Sequence, residues 1–193
     1  MEQEVQVTLV ANPTTPPSSI SLSPANPSAA AGRPIQLAAT GQFMDGPHPV
    51  DAFVGWASSA PTIADVDATG KVTTRAPGTA RITAGWGSAD KSPSGSTTVT
   101  VTDPVLDSLY FRTPPDTLGP LKSVQFVAEG LYSNAKDPVD VTAQADWSST
   151  SPAVATVGNA GGSKGRVTAI APGSTEIRAT LSGMTAKSTL TVR

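Results

Sequence analysis

The chain of 193 residues contains the same four blocks twice, in the same order, and a duplication on that scale fixes the architecture before any local pattern is read. Ile20 to Leu22 and the run PIQLAATG ending at Gly41 recur 89 positions on, as Leu109 to Phe111 and SVQFVAEG ending at Gly130. WASSAPTIADV, from Trp56, returns 91 positions on as WSSTSPAVATV, from Trp147. GKVTTRAPGTARITA, from Gly70, returns 95 positions on as GRVTAIAPGSTEIRA, from Gly165, and TVTVT at Thr98 returns 91 on as TLTV at Thr189. The shift changes only between blocks, where Gly, Asp, Asn and Ser collect, so the insertions belong to loops.

Within the blocks apolar side chains alternate with period two, which is the strand period. Ile35, Leu37 and Ala39 point one way in the first copy, as do Val124, Phe126 and Ala128 in the second. Ile82, Ala84 and Trp86 continue the pattern, matched by Ile177, Ala179 and Leu181. No segment holds a 3.6-residue apolar period. Six or seven short strands per copy, with turns about every ten residues, predict an all-β chain of two tandem immunoglobulin-like antiparallel β-sandwiches of about 85 to 90 residues each. Ala76-Pro77-Gly78 and Ala171-Pro172-Gly173 place a fixed φ beside a residue free to take positive φ, as a tight bend requires. Asp67 to Gly70 reads as a hairpin turn, and its counterpart Gly158 to Gly165 as a longer and looser tip. The expected divisions are an N-terminal extended arm over 1–17, a first domain over 18–103 and a second over 104–193.

Composition removes several classes of function. There is no Cys, so thiolate metal sites, thiol nucleophiles and disulfides are excluded. Thirteen basic against 15 acidic residues give a net charge of -2, leaving no field of one sign to gather nucleic acid or an anionic membrane. No run approaches the roughly 20 apolar residues of a membrane span. Walker loops and basic-aromatic interleaving are missing as well, so neither a nucleic-acid partner nor membrane insertion is expected.

An ISL strand, a Gly-ended second strand, Trp-x-Ser-Ser, x-Ala-x-Val, Gly-x-Val, Ala-Pro-Gly-Thr-x-x-Ile and a Val/Thr-rich last strand, in that order, resemble the group 2 bacterial immunoglobulin-like family over residues 18 to 193. The resemblance implies a non-enzymatic spacer or adhesion module, of the kind found in bacterial adhesins and secreted proteins and in virion proteins of tailed phages. A fold of this sort carries no site of its own. Some such arrays hold calcium between domains through oxygen ligands, for which Asp103 and Asp107, or Asp65 and Asp67, are the nearest candidates here. They lack EF-hand spacing and a dense acidic cluster, so solvated surface charge is the expected reading and no cofactor is expected.

The remaining candidates are few. Trp56 and Trp147 are expected to fill the centres of their sandwiches, with Leu37, Ile82, Phe126 and Ile177 around them, rather than to serve as sugar platforms. Trp86 is expected at a core rim, and Tyr110, out of phase with Leu109 and Phe111, faces outward with packing between the domains as its expected use. His48 is the only histidine, so any Ser/His/Asp machinery would have to pass through it, yet it lies between two prolines in what reads as a connecting loop. Asp45 with Asp51, or Asp137 with Asp140, are candidate carboxylate pairs for glycoside hydrolysis, and they fall in the same polar loop of each copy, where acidic residues are the default. No catalytic constellation emerges.

Val5, Val7 and Leu9 alternate with Gln and Thr like the last strand of a sandwich, and suit addition to the open sheet edge of a protein partner such as a capsid, tail or neighbouring repeat. Together with a Met start that lacks a basic leader, this favours a surface-exposed decoration or tail accessory of a phage virion, anchored by that strand and projecting two domains toward host-surface glycans. Spacer or adhesion repeats of a secreted or cell-surface bacterial adhesin are the alternative.

Overall fold

The structure, a computed structural model, describes residues 15–193. The expected anchor residues Val5, Val7 and Leu9 lie outside the described residues. By its internal packing the chain divides into two compact units, one made of residues up to Thr102 and the other of Asp103–Arg193, with Ala30–Gly32 grouped with the latter.

Each unit is a β-sandwich built on one plan. In the first, a four-stranded sheet runs in the order Ser28–Ala30, Ser94–Thr102, Gly78–Trp86, Val54–Ser58. Opposite it stand two three-stranded pieces, Ser19–Ser23 with Ala38–Phe43 and Gly46–Pro49, and Ile35–Gln36 with Lys71–Thr74 and Ala64–Val66. The second unit repeats this order, with Thr117–Leu118, Met184–Val192, Gly173–Leu181 and Asp146–Ser149 as its four-stranded sheet. The sequence predicts six or seven strands per copy, whereas each unit shows ten strand segments among the described residues. The excess comes from interrupted strands. Leu37 breaks the second long strand of the first copy by donating its N–H to Gly70 O at 2.9 Å, and Phe126 does the same to Gly165 O at 2.8 Å. The chain thereby steps from one three-stranded piece to the other while the side chain stays inside.

Alternation explains the rest. Gly78–Trp86 pairs antiparallel with Ser94–Thr102 in unbroken register from Gly78 with Val101 to Gly85 with Ser94, and Ala80, Ile82 and Ala84 all turn inward. Leu37, Ile82 and Ile177 are fully buried, with Phe126 at 1% exposure and Trp147 at 4%. Fully burying an aliphatic side chain of this size is worth about 1.5–3 kcal/mol, so a few such positions per sandwich supply much of its stability. The only helical elements among the described residues are two three-residue 3-10 turns, Asp51–Phe53 and Gly161–Ser163.

Three expectations need correction. His48 is not in a connecting loop: it lies on the short strand Gly46–Pro49, opposite Gly41, and the prolines on either side are tolerated because this is an edge strand with one side unpaired. Trp56 is half-buried at the margin of its core instead of at the centre. The Gly158 to Gly165 tip is not loose. Gly165 N–H donates to Gly158 O, Ser163 hydroxyl to Ala160 O, and Lys164 ammonium to Ala145 O, folding the insertion against its own domain.

Candidate functional site

The two tryptophans begin the same motif on equivalent edge strands, yet their surroundings differ. Trp147 stacks on Phe111, with ring centroids 5.4 Å apart and planes at 14°, and Phe111 meets Phe126 edge-on at 5.5 Å. Its indole N–H donates to Thr142 O at 3.0 Å. In the first copy Leu22 and Leu37 stand where Phe111 and Phe126 stand in the second, so no aromatic face awaits Trp56. Its ring lies instead over Gly70, where an added β-carbon would come within 2.9 Å of the indole, and its Nε1 is buried without a partner. Both rings are spent on packing.

A second aromatic group closes one end of the first sandwich. Trp86 packs against Phe53 at 5.9 Å and edge-on to Phe43 at 6.2 Å, and Phe43 meets the His48 ring at 5.7 Å. Trp86, Phe43 and Phe53 are half-buried against the core. The His48 imidazole reaches Asp45 at 3.1 Å on an exposed surface.

Of the carboxylates singled out in the sequence, Asp140 and Asp67 are held by hydrogen bonds from residues two to four positions on. Asp51 opens the 3-10 turn rather than sitting in a polar loop, and its Oδ1 accepts the Ala39 N–H at 2.7 Å, while Asp140 lies on the strand Val139–Asp140. Hydrogen bonds from the Thr142 hydroxyl and then its N–H hold the Asp140 carboxyl below the usual range, and Asp67 is lowered likewise by the Thr69 hydroxyl and the N–H groups of Thr69 and Lys71. Asp45 and Asp137 are exposed.

Asp65 is committed to Arg75 at 3.1 Å, and Asp103 and Asp107 are exposed. Among the described residues no three His, Cys, Asp or Glu side chains converge as metal ligands. Nor is any helix among the described residues long and apolar enough to cross a membrane.

One arrangement escapes a reading of motifs. On the outer face of the second sandwich, Tyr110, Glu129 and Asp140 form a row across three strands, with Tyr110 opposite Glu129 and Glu129 opposite Asp140. Glu129 is 6% exposed and accepts hydrogen bonds from Arg112, whose guanidinium is held above its usual range first by that bond and then by the Glu129 charge. Tyr110 itself is 40% exposed. The first copy has Ser21, Ser23, Thr40 and Pro49 at these positions. Comparing the aligned copies residue by residue, rather than block by block, is the signal that would have found it.

Residues 18–94 and 113–192 each match the family described as Bacterial Ig-like domain (group 2). Over 192 residues, 99% of its length, the chain is 37% identical to Ice-binding protein 1 from Shewanella frigidimarina (strain NCIMB 400), and it spans 20% of that protein. Among solved structures it is similar to surface layer protein SbsC, domains 4–9, at 19% identity and a TM-score of 0.41, covering 93% of this chain and 31% of that one. It is also similar to the C-terminal 282-residue fragment of intimin, solved in complex with the intimin-binding domain of its translocated receptor, at 21% identity and a TM-score of 0.37, covering 91% and 64%. With two all-β sandwiches built from one repeated set of motifs, each matched in its own right, the chain belongs to the group 2 bacterial Ig-like domain family.

Proposed function

We propose that the chain is a non-catalytic spacer within a longer bacterial surface or secreted protein, setting a binding module at a distance from its point of attachment and offering its own faces for protein contact. The observation that carries this reading is the match to Ice-binding protein 1: identity of 37% holds across 99% of this chain while the chain spans only 20% of that protein. A pair of sandwiches that recurs as a block inside a much larger relative behaves as a structural unit. The chemistry of the side chains agrees with it, since Asp51 accepts the Ala39 N–H, Asp65 pairs with Arg75, Asp67 is held by its own turn, and the His48 imidazole meets Asp45. An enzyme would need at least two such groups aimed at one space.

Immunogold labelling of the source cells with an antibody raised against residues 18–193 tests the proposal. Label at the cell surface or in the culture medium, lost on brief protease treatment of intact cells, is the expected result. Label confined to phage particles would overturn it in favour of a virion component anchored through Val5, Val7 and Leu9.

A further inference from the structure

The duplication supplies its own control: what both copies hold serves the fold, and what one copy holds alone is open to another use. Two departures of the second copy meet at one place. The first is the row on its outer face, where Tyr110, Arg112, Glu129 and Asp140 stand against Ser21, Ser23, Thr40 and Pro49. The second is the longer tip, Gly158 to Gly165 against Asp67 to Gly70. Between that tip and the turn after Asp140 lies an open cavity of about 290 Å³, lined by Asp140, Thr142, Gln144, Gly161, Gly162 and Lys164.

The cavity walls are held from behind. The Thr142 N–H donates to Asp140 Oδ1 at 2.8 Å, the Ala128 N–H donates to the Thr142 hydroxyl at 3.0 Å, and the Lys164 ammonium donates to Ala145 O at 2.9 Å. Groups fixed in this way give up little freedom on meeting a ligand. Gly162 has no such internal reason to be where it is. It takes no left-handed φ, and a β-carbon added to it would meet nothing within 4 Å, so neither conformation nor packing calls for glycine. What glycine does provide there is clearance for a group from outside.

The lining chemistry selects the ligand. Sites for drug-sized molecules run to about 300–1,000 Å³ and are mostly apolar, so a polar cavity at the lower end suits a small polar molecule. Arg112 is paired with Glu129, and the Lys164 ammonium lies 3.8 Å from Asp146, so little net charge remains to draw an ion. What remains is a carboxylate that accepts, an ammonium that donates, and an amide and a hydroxyl that do both. That set complements a ring carrying several hydroxyl groups. Tyr110, 40% exposed, stands two strands from Asp140 on the same face, about 9–10 Å across the sheet, and its ring offers apolar surface to the C–H side of such a ring. We propose that this cavity binds a neutral saccharide, one ring held among Asp140, Gln144 and Lys164 and the next reaching toward Tyr110. The site belongs to the second sandwich alone and does not depend on the spacer reading.

The test is a heteronuclear amide NMR titration of the 193-residue chain with maltose, cellobiose and N,N′-diacetylchitobiose in turn. At least one sugar is expected to shift the amides of Thr142, Gln144, Gly161 and Gly162 saturably, with a Kd on the order of 1 mM, while Ser21, Thr40 and Thr69 in the first copy stay still. Gly162→Val, which fills the rim of the cavity, and Tyr110→Ala should each raise that Kd about tenfold with Tm unchanged. If Gly162→Val does not fold, Tyr110→Ala decides. Absence of saturable shifts with all three sugars, equal shifts in both copies, or an unchanged Kd in a folded variant would each overturn the proposal. Saturable shifts with sodium phosphate or spermidine and none with sugar would overturn it in favour of an ion site.

Discussion

At the scale of single residues, the contrast between Trp147 and Trp56 separates a buried tryptophan with every requirement met from one that shares only its motif. Trp147 is 4% exposed, stacked on Phe111 and hydrogen-bonded through its indole. Trp147→Ala is expected to cost about 3–5 kcal/mol, the usual range for truncating a buried aromatic, whereas the half-buried Trp56 should cost about 2 kcal/mol. Trp56→Phe should be nearly neutral, because the N–H it removes has no partner to lose. Guanidinium unfolding followed by circular dichroism checks the order; equal losses for the two alanine variants would refute it. The shared role of these residues was legible in the sequence, since a repeated Trp-x-Ser-Ser on a period-two strand points inward in both copies. Their different depth was not. It depends on what stands across the sandwich, Phe111 and Phe126 in one copy and Leu22 and Leu37 in the other, and on the room that Gly70 leaves for a ring.

At the scale of elements, the edge strands that carry these tryptophans are finished differently. The N–H of Ser59 donates to Arg81 O and that of Gly87 to Phe53 O, so in the antiparallel register the odd-numbered residues of this strand bond inward and the N–H of Trp56 faces the outer edge. In the second copy the equivalent N–H, that of Trp147, donates to the Asn159 side chain at 2.7 Å. Asn159 comes from the longer tip, whose counterpart Asp67 to Gly70 has no residue to spare for the task. The extra residues read in sequence as slack because Gly-Asn-Ala-Gly-Gly-Ser has no apolar period; their use is a hydrogen bond, which periodicity does not reveal. Asn159→Ala should therefore cost about 1–2 kcal/mol. In native-state exchange it should bring the Trp147 amide toward the faster rate expected for Trp56, and an unchanged Trp147 rate would argue against the cap. The same limit hid the strand at His48, where Gly46-Pro47-His48-Pro49 looks like a loop until an edge position relieves proline of any duty to donate.

At the scale of the whole molecule, the duplication that organises the sequence reappears as two complete cores. The cluster around Phe126, Trp147, Ile177 and Leu190 draws every member from the second copy. A fragment of residues 103–193 is expected to fold alone and unfold in a single cooperative transition by circular dichroism; a fragment that stays unstructured would show that the second core borrows from the first. Thr117–Leu118 runs parallel to the end of Met184–Val192, which is itself paired antiparallel along its whole length with Gly173–Leu181. Tension applied through Arg193 and the front of this domain draws the two parallel strands past each other along their common axis. Their bridges must then rupture together instead of peeling open in succession, so the second sandwich resists mechanical stretching more stubbornly than so short a pairing suggests.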